Sequence, residues 1–143
     1  YIDATYKRKT TDDGDLAGQP TGEPLWSASA GVSWRQSLAD LGSLDMQLIH
    51  AYRGEGRCNE TSTGQGSCLQ TPWFDPSEAQ NRTDLRLYWR TPSERYQLGF
   101  YVTNLFDNQY VTGVNNITAT TLGTPFVNIT EPRMWGLDLT YTY

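Results

Sequence analysis

No run of about 18 apolar residues occurs anywhere in the 143-residue chain, so it cannot cross a bilayer as a helix. A crossing made of strands is untouched by that absence. Positive charge is also short, with 11 Lys and Arg against 16 Asp and Glu, a formal net charge of -5 and a pI near 4.7. Nucleic acid is therefore not an expected partner, because its phosphates call for clustered cations. Lys7-Arg8-Lys9 is the one basic cluster and the acidic Asp12-Asp13-Gly14-Asp15 follows it, so both read as solvated strand-end and loop charge. The acidic run lacks the spaced oxygens and closing Glu of a calcium loop. Histidine is reduced to His50, and cysteine to Cys58 and Cys68, with neither CxxC spacing nor a His beside them. No metal and no cofactor is expected from such a set, and no catalytic residue either, since His50 shares its parity with Leu48 and Tyr52 on the apolar side of its segment. The first residues lack the charged-then-apolar pattern of a signal peptide, as a mature product or internal fragment would.

Apolar residues are scarce as well, at 37% with a mean hydropathy of -0.60, which would ordinarily suggest disorder. Aromatics argue otherwise: nine Tyr and five Trp raise them to 13%. They recur in period two. Trp135, Leu137, Leu139, Tyr141 and Tyr143 fall on one parity, and Gly136, Asp138, Thr140 and Thr142 on the other. The same alternation runs through Ile2 to Tyr6, which makes residues 1–9 an expected first strand, and through Trp26 to Trp34, Leu44 to Tyr52, Leu85 to Trp89 and Tyr96 to Val102. Trp26 and Trp34 are eight residues apart, about 26 Å along a strand, so they could mark the two edges of a lipid-facing band. The opposite parity collects Asp45, Gln47, Arg53, Asp84, Arg86, Arg90, Gln97, Asp138 and Thr140, which a dry core could not hold.

Breaker residues divide these strands by connections that alternate in length: 10–24, 54–80 and 107–131 are long, 37–43 and 91–94 short. Alternate connections of a meander share an end, so one end carries tight turns and the other long loops. Outer-membrane barrels pair short periplasmic turns with long extracellular loops in this way. The fold expected is all-β, an antiparallel up-and-down meander of about six strands that forms part of a larger transmembrane β-barrel. Six strands are too few to close such a barrel, and open edges cannot stand in hydrocarbon.

Two segments resemble a known family. Asn104-Leu105-Phe106-Asp107-Asn108-Gln109-Tyr110 is similar to the "NLFD..Y" motif near the C-terminus of TonB-dependent outer-membrane receptors, and Pro132-Arg133-Met134-Trp135-Gly136-Leu137 to the segment leading into their final strand. Tyr143 resembles the terminal aromatic that the barrel-assembly machinery reads, and Gly22-Glu23-Pro24-Leu25-Trp26-Ser27-Ala28 a strand of the family that follows a Pro-containing loop. The resemblance implies a 22-stranded barrel with an N-terminal plug. It implies active import of a scarce ligand, most often an iron–siderophore, across the outer membrane of a Gram-negative bacterium. The partners implied are outer-membrane lipid, the plug and remaining strands of the same protein, the TonB complex and a small-molecule ligand. Plug, TonB box and the other strands are not among these residues, which could supply only lumen wall and extracellular loops.

Within those loops, Arg57, Trp73, Phe74 and Asn116 are the candidate ligand contacts. Cys58 and Cys68, ten apart in a Gly-, Ser- and Thr-rich stretch, are expected to form a disulfide, which implies an oxidising compartment. Two other readings stand beside the importer. A passive porin would share the strands but not the two motifs. A secreted, disulfide-bonded β-sandwich binding protein would suit the four Asn-x-Thr patterns at Asn59, Asn81, Asn116 and Asn128.

Overall fold

The computed structural model describes residues 1–11, 14–59, 62, 68, 75–115 and 126–143. Nearly all regular structure among them is strand: β1 (Thr10–Thr11), β2 (Gly14–Asp15), β3 (Ser27–Ser37), β4 (Ser43–Arg53), β5 (Gln80–Arg90), β6 (Tyr96–Thr103), β7 (Val111–Asn115), β8 (Phe126–Ile129) and β9 (Met134–Tyr141). One five-stranded sheet has the order β3-β4-β5-β6-β9, and β1-β2 and β7-β8 form two separate two-stranded sheets. The measured pairings are antiparallel.

The chain divides into two compact units, Tyr1–Ala28 with Tyr52–Gln80 and Gln109–Glu131, and Ser29–Ala51 with Asn81–Asn108 and Pro132–Tyr143. In the second unit the register lines up the apolar parity across strands. Leu85 lies opposite Val102 and Val102 opposite Trp135; Leu87, Phe100 and Leu137 form the next row, and Trp89, Leu98 and Leu139 the one after. The other parity places Arg90 opposite Gln97 and Gln97 opposite Thr140, with Tyr88, Gly99 and Asp138 in the row beside them. Alternation in sequence has become two faces of opposite chemistry.

Two tight connections belong to this unit. Between β3 and β4 the chain makes a single 3₁₀ turn at Ala39–Leu41, closed by Leu38 N–H donating to Gly42 O at 2.7 Å. Gly42 is at φ 96°, and a Cβ there would lie against Arg90 O, so glycine is the one residue that fits. Between β5 and β6, Glu94 N–H donates to Thr91 O at 2.9 Å and Thr91 N–H to Tyr96 O at 3.0 Å, the turn expected of Thr91-Pro92-Ser93-Glu94.

The polar face shows a repeated device in which a tyrosine covers a glycine of the next strand. Tyr101 lies opposite Gly136, where an added Cβ would meet its Oη at 2.5 Å, and Tyr88 stands beside Gly99, where a Cβ would meet its Cε1 at 3.0 Å. Gly136→Ala is expected to push the Tyr101 ring off its seat and cost about 1–3 kcal/mol as an overpacked site. A Tyr101→Ser change in the same chain should recover most of that loss in urea unfolding; a double variant no more stable than Gly136→Ala alone would contradict this packing.

The first unit is held by short backbone pairings around Leu16, which is fully buried. Leu16 N–H donates to Lys9 O at 2.8 Å, and β1 pairs with β2 through Thr10–Asp15 and Thr11–Gly14. The continuous strand expected over residues 1–9 does not form. Ile2, Tyr6 and Thr21 make isolated bonds to Leu25 O, Gln19 O and Ala4 O, and Thr5 makes a single bridge to Pro20. Pro20 and Pro24 have no N–H to give a ladder, and Gly18 and Gly22 at positive φ break its extension.

The stretch 107–131 also departs from its reading as a plain loop, since β7 and β8 form a hairpin within it. Val111 pairs with Ile129, Val114 with Val127 and Asn115 with Phe126, with a bulge between Val111 and Gly113. Val, Ile and Phe at those positions favour an extended backbone, which outweighs the Asn and Gly around them. The meander of about six strands is thus a five-stranded sheet with separate two-stranded ribbons, and its last strand ends at Tyr141, two residues before the end expected for it.

Candidate functional site

Much of the apolar face of the sheet in the second unit is open, although Val102 and Thr83 on it are buried. Trp135, Leu137 and Leu139 are 69%, 64% and 72% exposed, and Leu98, Trp89, Tyr96 and Tyr141 are exposed with them. Contiguous apolar rows of this kind mark a surface that something other than water covers. Aromatics stand at the tight-turn end: the rings of Tyr96 and Tyr141 are 5.0 Å apart, those of Tyr141 and Tyr143 5.6 Å, and the Trp89 indole N–H donates to Leu41 O at 2.8 Å. Trp135 stands six residues before Tyr141 on β9, about 20 Å along the strand. Aliphatic Leu137 and Leu139 fill the interval.

The polar face carries a chain of charge. Asp45 accepts from the Nε of Arg35 through one oxygen and from Arg90 through the other at 2.5 Å, and the Arg90 Nε donates to Gln97 Oε1 at 2.8 Å. Four strands are tied by this one network, with the cations on either side of a single carboxylate. A shallow cavity of about 380 Å³ lies against it, lined by Trp34, Gln47 and Tyr88 as well as the charged groups. His50 belongs to the other face, where its Nδ1 is 2.8 Å from the Thr83 hydroxyl, and Thr83 is buried.

The motif residues converge on one knot. Asn104, 3% exposed and at φ 53°, donates from Nδ2 to Asn108 O at 2.8 Å and accepts the Asn108 N–H on Oδ1 at 3.1 Å. Its own N–H goes to Asp84 Oδ1 at 2.9 Å, and Leu105 N–H to Thr83 O at 2.8 Å. Asp107, also at positive φ, accepts the Arg133 N–H on Oδ1 at 2.8 Å, and Arg133 reaches back to Leu105 O. The start of β5, the end of β6 and the approach to β9 are thereby fastened together. Pro132 precedes Arg133 at the surface and Phe106 is exposed. Tyr110 is tied in the first unit instead, where Thr130 N–H donates to its carbonyl and its N–H to the Thr130 hydroxyl.

Of the four candidate ligand contacts, Trp73, Phe74 and Asn116 lie outside the described residues. Arg57 is engaged with its own chain: it donates to Asp3 Oδ1 at 2.6 Å, Ala4 O at 3.0 Å and Glu23 O at 3.2 Å. Those bonds hold the segment before Cys58 to residues 3–4 and 23, a bracing role that the loop composition gave no sign of. Cys58 and Cys68 are bonded, with Cα atoms 5.5 Å apart. Because that bridge spans only ten positions, Cys58→Ser with Cys68→Ser is expected to speed proteolysis within 58–68 while leaving the sheet's unfolding midpoint unchanged. A lowered midpoint for the whole sheet would contradict it. Comparison with protein-family models, with curated proteins and with solved structures finds no match.

Proposed function

We propose that this chain is the C-terminal part of the barrel of a TonB-dependent outer-membrane receptor, supplying lumen wall and extracellular loops for the active import of a scarce ligand, an iron–siderophore being the commonest case for that family. The observation that carries the reading is the pairing of an apolar face that exposes Trp89, Leu98, Leu137 and Leu139, closed by Trp135, Tyr96 and Tyr141, with a charged face crossed by the Arg35–Asp45–Arg90–Gln97 network. Lipid against the first face and water or plug against the second satisfies both. The short connections at 38–42 and 91–95 and the long ones at 54–79 and 104–133 support the same reading, and so does the knot that gives the family-like motif a structural role. The edge strands β3 and β9 would pair with further strands of the same barrel.

Fractionation of cells making the complete protein tests this. It should sediment with outer membranes and be released only by detergent, and a plug domain should be encoded upstream. Recovery in the soluble fraction without detergent would refute the barrel, leaving a secreted binding sandwich, and a barrel with no plug upstream would leave a passive porin.

A further inference from the structure

Within the first unit lies a polar cavity of about 330 Å³, bordered by Tyr6, Lys9, Glu23, Arg53, Asn59 and Thr112. That size falls in the range of small-molecule pockets, about 300–1,000 Å³. Backbone bonds hold several of the lining residues: Leu16 N–H to Lys9 O, Tyr6 N–H to Gln19 O and Gly56 N–H to Ser77 O. Some of its polar groups are already satisfied. Asn59 donates to Pro20 O at 2.6 Å and accepts from Ser62 N–H at 2.8 Å, and the Thr112 hydroxyl donates to Asn128 O at 3.2 Å.

Its charged groups, Lys9, Glu23 and Arg53, are exposed to solvent. Among the described residues the Arg53 guanidinium and the Glu23 carboxylate have no hydrogen bond or ion pair, and the Lys9 ammonium meets only the Tyr6 ring, 4.7 Å from its centroid. Among the described residues its lining holds two cations and one anion, in a chain whose formal charge is -5. A guanidinium fork and a mobile ammonium recognise carboxylate oxygens by paired, charge-assisted bonds. An unpaired carboxylate on the same wall accepts from a hydroxyl and repels a ligand that is anionic all round.

We propose that this cavity binds a small hydroxycarboxylate, with Arg53 and Lys9 on its carboxylate oxygens and Glu23 accepting from its hydroxyl. The site is contained within one unit and does not depend on the membrane reading, so a failure of binding and a failure of membrane fractionation are separate results.

Titration calorimetry on the purified full chain, with tartrate, inorganic phosphate and glycerol as probes at low ionic strength, tests it. Tartrate should bind saturably and glycerol should not. Arg53→Gln and Lys9→Gln should each weaken tartrate binding about tenfold or more, the effect of deleting one charged hydrogen bond. Glu23→Gln should weaken tartrate and strengthen phosphate. Among the described residues neither cation's side chain has a hydrogen bond or ion pair to lose, so the variants should keep the wild-type circular dichroism. Absence of saturable tartrate binding, or unchanged affinity in both cation variants, would overturn the site. Phosphate binding as tightly as tartrate in the wild type would overturn the hydroxycarboxylate assignment.

Discussion

Asn104→Ala is expected to lower the stability of the sheet by about 3 kcal/mol. Alanine removes the bonds to Asn108 O and from Asn108 N–H, each worth about 1 kcal/mol and more where the abandoned partner is shielded from water. It also places a residue without a short polar side chain at φ 53°, a left-handed backbone that costs most residues about 1–2 kcal/mol and is eased for Asn and Asp. The loss should spread beyond the turn, because the Asp84, Thr83 and Arg133 contacts depend on the same backbone placement. Asn104→Asp keeps the conformational tolerance and the acceptor while losing the Nδ2 donor, so it should fall between alanine and wild type. The urea midpoint of the detergent-solubilised protein measures this, at constant m-value. An alanine variant with the wild-type midpoint would show that the knot does not hold the strands.

Leu137→Arg carries the next largest expected effect, and its size depends on what covers the apolar face. Leu137 sits in the middle of β9, opposite Phe100 and between the Trp135 and Tyr141 rings in sequence. Against lipid, arginine near the bilayer midplane costs about 2–4 kcal/mol. In water the same change would fall within about 0.5 kcal/mol, as other exposed substitutions do. Thr140→Arg, on the opposite parity beside Gln97, is the matched control and should be near neutral in a wet lumen. Refolding into vesicles of a phosphatidylcholine separates the outcomes: a folded yield reduced by Leu137→Arg alone fits a lipid-facing row, and equal yields for both variants would not.

The strands of the main sheet were the legible part of the sequence, because a parity that separates Leu and Trp from Asp, Arg and Gln needs no tertiary information. The bounds of β6, Tyr96–Thr103, follow from alternation and the Thr91-Pro92 turn alone. Where alternation was weak or its donors were missing, the reading failed: Pro20 and Pro24 prevent a strand along residues 1–9, and the β7–β8 ribbon hides among Asn, Thr and Gly. Partners distant in sequence were the other loss. Asp45 between Arg35 and Arg90, Tyr101 over Gly136, and Asn104 against Asp84 all require the register before they can be named. Arg57 looked like a loop cation presented to a ligand, and its three bonds to Asp3, Ala4 and Glu23 arise from chain segments more than thirty residues away. The cavity lined by Lys9 and Arg53 was illegible for the same reason, since those cations lie on separate segments that only the folded unit brings to one cavity.

Parity-resolved accessibility along β6 and β9 tests the central claim most directly. Spin labels on cysteines introduced singly at Leu98, Leu137 and Leu139, and at Gln97, Asp138 and Thr140, would be read in vesicles against oxygen and a water-soluble nickel chelate; Cys58 and Cys68 are already bonded and leave no competing thiol among the described residues. The account predicts that the three leucine positions relax with oxygen and are shielded from nickel, while the three polar positions do the reverse. Equal access of the nickel chelate to both sets would contradict a sheet with one face in lipid.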